Sequence, residues 1–156
     1  MLNAALWNSK LEPMSSDHIK QGMLKNADEI KRLKSRIDQT MPHRSESREK
    51  RREWESACSD FHKRYNALAF PGGYNGALER IVAGDAEAME AGICFLECRP
   101  YFFRSGYMFK EILRKAKRAP LSPDQTRRLQ VGGPEIGRVA QSLARGLTVV
   151  RADVGD

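Results

Sequence analysis

The sequence predicts an all-α protein: a long N-terminal antiparallel helical hairpin packed on a C-terminal bundle of short helices. Two long stretches place apolar residues at alternating spacings of four and three, the pattern of helices that pack side by side. The remainder divides into short amphipathic segments separated by Pro, Gly and capping residues. Since no strand-like segment has a partner, we expect more than half of the residues in helix and little or no strand.

The first helix of the hairpin is predicted over residues 15–39, after a flexible N-terminal arm formed by residues 1–14. Ser15 and Asp17 offer side-chain oxygens that can cap the start of the helix. Pro42 ends the helix, because it disfavours helical geometry in the residue before it. The side that faces the second helix consists of Ile19, Met23, Asn26, Ile30, Leu33 and Ile37.

The second helix is predicted over residues 45–68, so that the hairpin spans residues 15–69. The short break between the helices indicates an antiparallel arrangement, and counting outward from it places Ile30 beside Trp54. If Trp54 is buried in this contact, Trp54→Ala should lower the free energy of unfolding by about 3–5 kcal/mol. The side that faces the first helix consists of Trp54, Cys58, Phe61, Tyr65 and Leu68.

The C-terminal bundle is predicted over residues 74–156, and we expect it to form one domain with the hairpin. A turn-forming run at residues 70–73 (Phe-Pro-Gly-Gly) separates the two parts. Two short helices follow: Gly84 ends the first, and Asp85 caps the second, over residues 86–98. The second half of this helix is nearly apolar on all sides, which indicates a buried element.

A basic helix comes next, predicted to begin at Tyr101 or Ser105 and to end at Ala119. Ser122, followed by Pro and then by Gln three residues later, is a strong start signal for a further short helix to about residue 130. The remaining predicted segments are a helix over residues 135–145 and a tail over residues 147–154 that docks or frays.

The composition of the 156 residues excludes several classes of protein. At 40% hydrophobic and 30% charged residues, the chain is too apolar to be disordered. It lacks both the ~20-residue apolar stretch of a membrane span and the features of a secretory signal. Its three cysteines, Cys58, Cys94 and Cys98, cannot all pair within one chain, so we expect a reducing, cytoplasmic location without membrane association.

The net charge of +7 is concentrated in one part of the chain. Residues 1–98 contain 15 basic and 15 acidic residues, and residues 129–156 contain three of each. Residues 99–128, the basic segment, contain nine bases and two acids, and 9 − 2 = +7 accounts for the whole excess. A second basic run, residues 44–52, is interleaved with Glu and is expected to neutralise itself. Concentrated charge indicates a surface that attracts an acidic partner.

The basic segment is therefore the predicted binding surface. Its partner is expected to be either nucleic acid held by its backbone or an acidic protein surface, and the sequence does not separate these. The alternative is that these residues form only a solvated face of a helix. The predicted partner-binding residues are Arg99, Arg104, Tyr107, Lys110, Arg114, Lys117, Arg118, Arg127 and Arg128.

Five of the twelve aromatic residues lie within the nine residues from 101 to 109. Interleaved aromatic rings and cations suit single-stranded nucleic acid, because rings stack on bases and cations contact phosphates. The alternatives are that the rings fill the core, or that Phe rings are buried while Tyr and Arg are exposed. The five are Tyr101, Phe102, Phe103, Tyr107 and Phe109.

One set of residues is a weak candidate for a zinc site. Cys58 and His62, and likewise Cys94 and Cys98, are four residues apart, so each pair can lie on one side of a helix. Together they would supply four ligands of the type that zinc prefers. Burial of the cysteines for packing is the favoured interpretation, and we predict no cofactor.

The sequence contains no catalytic motif, such as the Gly-x-Ser-x-Gly of hydrolases or the His-Glu-x-x-His of metalloproteases. We therefore predict a non-enzymatic interaction protein that binds an acidic partner through the basic segment. A second hypothesis is a small regulatory or inhibitory protein, for example one that neutralises a toxin or an enzyme, acting by shape complementarity. An enzyme of a type without a recognisable motif is a third.

Overall fold

The computed structural model describes residues 14–131, and 77% of these residues are helical. None of them lies in a strand, and the predicted all-α fold is confirmed. No helix in this part of the chain has the length and apolar character needed to cross a membrane. The six helices are α1 (Ser16–Thr40), α2 (Arg48–Ala69), α3 (Ala77–Ala83), α4 (Ala86–Cys98), α5 (Ser105–Ala116) and α6 (Pro123–Val131).

Helices α1 and α2 form the predicted hairpin, and a serine caps each of them. Ser15 accepts a hydrogen bond from the backbone N–H of His18 at 3.3 Å, and Ser47 accepts one from that of Lys50 at 3.1 Å. A short 3-10 helix, Met41–His43, lies between them. The second helix thus begins three residues later than residue 45, where the sequence placed it, because Ser47 supplies the cap.

The pairing of the two hairpin helices differs from the sequence-based expectation. Arg36 donates a hydrogen bond to Asp60 at 2.6 Å, and Arg64 donates one to Glu29 at 2.6 Å. Ile30 therefore lies level with the region around Arg64, and its predicted placement beside Trp54 is wrong. The connection occupies all of residues 41–47, so α2 is displaced along α1 relative to a hairpin that turns tightly at Pro42.

In the contact between the hairpin helices, more of the residues predicted to be buried are buried on α1 than on α2. Met23, Ile30 and Leu33 are buried as expected. On α2, Phe61 is buried, while the small Ala57 takes the buried place next to Cys58 and leaves Cys58 half-buried. Trp54 is also half-buried and lies outside the main core cluster, with the Arg44 guanidinium 5.6 Å from its ring centre.

Helix α4 is the most buried element of the described chain, as its composition predicts. All six residues from 91 to 96 are buried, and so are Ala88 and Met89. Its start is fixed by Asp85, which accepts a hydrogen bond from the Ala88 N–H at 2.8 Å. Just before it, Gly84 ends α3 with φ of +88°, a conformation that suits glycine.

The start of α6 also has the predicted form. The backbone N–H of Gln125 donates to the Ser122 hydroxyl at 3.1 Å, and the Ser122 N–H donates to the Gln125 side chain at 3.0 Å. This reciprocal pair is a capping box. Helix α5 is shorter than predicted and ends at Ala116, because the chain turns through residues 117–119 before Pro120. The predicted arm, except for Met14, and the predicted segments at 135–145 and 147–154 lie outside the described residues.

Ile30 and Trp54 provide a test of how the hairpin packs. Ile30→Ala should lower the free energy of unfolding by about 2–5 kcal/mol, because Ile30 is completely buried. Trp54→Ala should lower it by only about 1–2 kcal/mol, since the ring is half-buried outside the core. Denaturant unfolding followed by circular dichroism measures both values. A larger loss for Trp54→Ala than for Ile30→Ala would contradict this packing.

Candidate functional site

The site begins with the linker between α4 and α5, where one aromatic residue is inserted into the core. Phe102 is buried, and its ring packs edge-on against the rings of Tyr65 and Phe95. Its backbone N–H donates to the Ser105 hydroxyl at 3.0 Å, which ties the linker to the start of α5. Pro100 is also buried. The linker is thereby held against the core at two positions.

Burial of alternate linker residues turns their neighbours toward solvent. Tyr101 is 74% exposed, Phe103 is 43% exposed, and Tyr107 on the first turn of α5 is 62% exposed. The backbone carbonyl of Phe103 is fixed by a 2.8 Å hydrogen bond from the Tyr65 hydroxyl. Phe109 is buried in the core. The aromatic cluster is therefore mixed, with two rings in the core and three at the surface.

The exposed rings line a groove between the linker, the start of α5 and the second half of α1. Its volume is about 600 Å³, which is in the range of ligand sites. Five bases and one acid, Asp38, line it, a local balance of 5 − 1 = +4. The bases are Lys31, Lys34, Arg99, Arg104 and Lys110.

Cations and rings alternate closely along this groove. The Lys31 ammonium is 5.8 Å from the ring centre of Tyr101, and the Lys34 ammonium is 5.5 Å from that of Phe103. The Arg104 guanidinium lies 5.3 Å from the same Phe103 ring. These separations are within the range of cation–π attraction. A ligand in the groove would therefore meet a positive charge and an aromatic face together.

Two of the groove bases, Lys31 and Lys34, were not among the residues that the sequence indicated. Both belong to α1, whose acidic residues conceal them in any count of net charge. Lys31 pairs with Asp28 at 3.5 Å, and Lys34 pairs with Asp38 at 2.5 Å. Their spacing of three residues placed them on one side of α1. Only the packing of the linker against that side shows which charges meet the aromatic rings.

The basic residues of α5, and of the turn that follows it, continue from the groove along the outer side of the helix. Lys110 lines the groove, and Arg114 and Lys117 follow at spacings of four and three, with Arg118 beside them. In the described part of the chain, none of these four has a carboxylate within ion-pair distance. The opposite side is buried and consists of Met108, Phe109, Ile112 and Ala116.

The bases of the hairpin differ from those of α5 because most are paired. Lys50 pairs with Glu53 at 3.5 Å, and Arg51 pairs with Glu55 at 3.2 Å. The expectation that residues 44–52 neutralise themselves is met only in part, because within residues 14–131 the other three bases of this run, Arg44, Arg48 and Arg52, have no carboxylate at ion-pair distance. Within residues 14–131, the outer side of α5 therefore differs from the hairpin in that its bases have no carboxylate partners.

Arg127 and Arg128 are placed differently from the other predicted partner-binding residues. Arg127 is exposed and pairs with Asp124. Arg128 has a side chain only 16% exposed, and it donates to Glu90 at 2.8 Å and also to Glu97. Arg128 thus connects α6 to α4 and has a structural role rather than a place on the open surface.

Glu90 is the centre of this connection. It accepts hydrogen bonds from Ser16 at 2.6 Å, from Gln125 at 3.0 Å and from Arg128 at 2.8 Å. Burial acts to raise the pKa of Glu90, but these donors outweigh it and lower the pKa to about 2. A single carboxylate therefore joins the starts of α1 and α6 to the middle of α4.

The structure does not bring the candidate zinc ligands together. Cys98 contacts Met23, and Cys94 contacts the backbone of Ser16, whereas His62 is exposed on α2 beside Phe61. Across residues 14–131, no three His, Cys, Asp or Glu side chains form a group that could hold a metal ion. Burial raises the pKa of Cys94 to about 11 and also raises that of Cys98, which disfavours the thiolate forms that bind metals.

Comparisons of the chain with protein-family models, curated proteins and solved structures found no match. The interpretation of the site therefore rests on its own geometry and charge.

Glu90→Gln should destabilise the protein at pH 7, and the difference from the parent should shrink as the pH falls. The folded-state pKa of Glu90 is below the ordinary value of 4.5, so its stabilising contribution is present above about pH 4.5 and is lost toward pH 2. Urea unfolding at several pH values measures this difference. Glu87→Gln, on the exposed side of the same helix, is the control. An equal loss for Glu90→Gln at pH 7 and at pH 3 would contradict this assignment.

Purified protein should contain no stoichiometric zinc, and chelator should leave its melting temperature unchanged. The separation of Cys58 and His62 from Cys94 and Cys98 is the reason for this expectation. Metal analysis together with thermal unfolding in the presence and absence of chelator tests it. About one zinc per chain, with a lower melting temperature after chelation, would show that these residues form a site after all.

Proposed function

We propose that this chain is a non-enzymatic binding protein whose acidic partner is held by the cations of the basic segment. The observation that carries the proposal is the contrast between two kinds of basic residue. Most bases of the hairpin are paired with carboxylates, whereas Lys110, Arg114, Lys117 and Arg118 make no such pair within residues 14–131. Unneutralised charge on one side of a protein attracts and orients an oppositely charged partner.

The proposed location is the cytoplasm. Cys58, Cys94 and Cys98 are all free thiols in the structure, which is consistent with a reducing compartment. The partner surface, in this proposal, extends from the groove at Arg104 along the outer side of α5. Arg128 is not part of it, since its guanidinium is occupied by Glu90 and Glu97.

Reversal of Lys110, Arg114, Lys117 and Arg118 to Glu should abolish binding while changing the free energy of unfolding by only about 1 kcal/mol. Arg114, Lys117 and Arg118 are exposed and Lys110 is half-buried at the groove, and none of the four belongs to the hydrophobic core, so their replacement spares it. Titration against heparin at several salt concentrations measures the binding. For a nucleic-acid partner, each lost phosphate contact should reduce the slope of log affinity against log salt by about 0.7–0.9.

The matched control reverses Arg48, Lys50, Arg51 and Arg52 of α2. Both quadruple variants shift the net charge by the same amount, from +7 to 7 − 8 = −1, so only the position of the charge differs. The control should retain most of the binding. If both variants lose binding equally, only net charge matters and the proposed surface is wrong. Undiminished binding of the natural partner by the α5 variant would favour the regulatory protein that acts by shape.

A further inference from the structure

We propose that the groove between α1 and α5 binds single-stranded nucleic acid, with bases stacked on its exposed rings and phosphates on its cations. This inference rests on the proposed function and specifies its partner. The stacking residues are Tyr101, Phe103 and Tyr107, and the cations are Arg104 and Lys110, neither of which has a carboxylate partner within residues 14–131. Lys31 and Lys34 line the same groove but are paired with Asp28 and Asp38, so their contribution is smaller.

The exposure of the rings is the first reason. Tyr101 and Tyr107 are 74% and 62% exposed, whereas Phe102 and Phe109 of the same aromatic cluster are buried. Every nucleobase offers a flat π-face, so stacking on such rings tolerates any sequence. A duplex hides these faces within its own stack. The exposed rings therefore favour a single strand over a double helix.

The partial negative charge on the faces of the aromatic rings favours nucleic acid over an acidic protein as the partner. An aromatic ring has a negative face, which attracts the cations found beside it and disfavours a carboxylate above it. An acidic protein surface would be attracted by the lysines and arginines of the groove but not by its aromatic rings. A nucleotide unit supplies a neutral flat base for Phe103 and a phosphate for Arg104, which lies 5.3 Å from that ring.

The cations on α5 give the strand a direction in which to leave the groove. Lys110 lines the groove, and Lys117 lies seven residues further along, or about 10 Å at 1.5 Å per residue. Arg114 lies between them on the same outer side. The last aromatic residue of the chain is Phe109, and its ring is buried in the core, so no ring of α5 beyond Tyr107 is open to a ligand. The nucleic-acid strand would therefore be held through its nucleobases and its phosphates in the groove, and through its phosphates alone along α5.

The test compares two ligands of equal length and charge, about 20 nucleotides long. One is a fluorescently labelled oligo(dT), and the other is the corresponding abasic sugar-phosphate strand. The full chain is compared with the double variant Tyr101→Ala/Tyr107→Ala. The matched control is Tyr101→Phe/Tyr107→Phe, which keeps both rings and removes only the hydroxyl groups. Anisotropy titrations over a range of salt concentrations give the affinities and their salt slopes.

The parent and the Phe control should bind oligo(dT) more tightly than the abasic strand. The Ala variant should lose affinity for oligo(dT) by about 5- to 150-fold for each base that was stacked, with little change for the abasic strand. Its salt slope should stay the same, because no phosphate contact is removed. Both tyrosines are exposed, so folding should be preserved, and circular dichroism checks this directly.

Several results would overturn the inference. Equal affinity of the parent for oligo(dT) and for the abasic strand would leave backbone binding by the basic segment intact but remove the stacking site. Tighter binding of poly-glutamate than of oligo(dT) would identify an acidic protein as the partner. If the parent binds neither strand nor poly-glutamate nor heparin, the proposed function fails as well.

Discussion

Helix α4 has almost no polar side over residues 88–96, and the other helices have to cover it. Helices α1, α3, α5 and α6 all pack against it. Gly92 permits close approach, since a side chain there would lie 3.3 Å from Ile81 and 3.6 Å from Ile112. The linker that leaves α4 must therefore cross the edge of the same core, and it does so by inserting Phe102. The groove is a consequence of that crossing.

The helices differ in whether their basic residues are neutralised by acidic residues nearby. On α1 and α2, acids and bases lie three or four residues apart or face each other across the hairpin, as Arg36 and Asp60 do at 2.6 Å. Helix α5 carries one acid, Glu111, which accepts a hydrogen bond from the Tyr74 hydroxyl. The outer side of α5 thus has no internal neutralisation, and the linker joins it to the aromatic groove.

Local features of the fold were well predicted because they depend on neighbouring residues. The caps at Ser15 and Asp85, the capping box at Ser122 and the burial of α4 all follow from short spacings in the sequence. The register of the hairpin could not be predicted in this way. It depends on how residues 41–47 form the connection, and spacing within either helix carries no information about that.

The candidate site could be predicted only in part, because some of its residues are far apart in the sequence. The segment that holds the excess charge and the aromatic cluster was evident, but Lys31 and Lys34 were not, because they reach the groove only through tertiary packing. Arg128 shows the opposite case. Its charge counts toward the basic segment in the sequence, yet Glu90 and Glu97 neutralise it in the fold. The net charge of a segment therefore indicates a candidate surface, but it does not show which of its charges are neutralised in the fold.

The backbone of the linker supports the role that we propose for Arg104. Arg99 and Arg104 both have positive φ, +49° and +68°, which costs a side-chain-bearing residue about 1–2 kcal/mol and glycine almost nothing. The two residues together cost about 2–4 kcal/mol, and the burial of Phe102, worth about 1.5–3 kcal/mol, offsets most of this cost. Arg104 provides no side-chain cap for α5. Arg104 places its guanidinium beside Phe103, and because strained backbone is concentrated at functional sites, this geometry supports the proposed contact with a ligand.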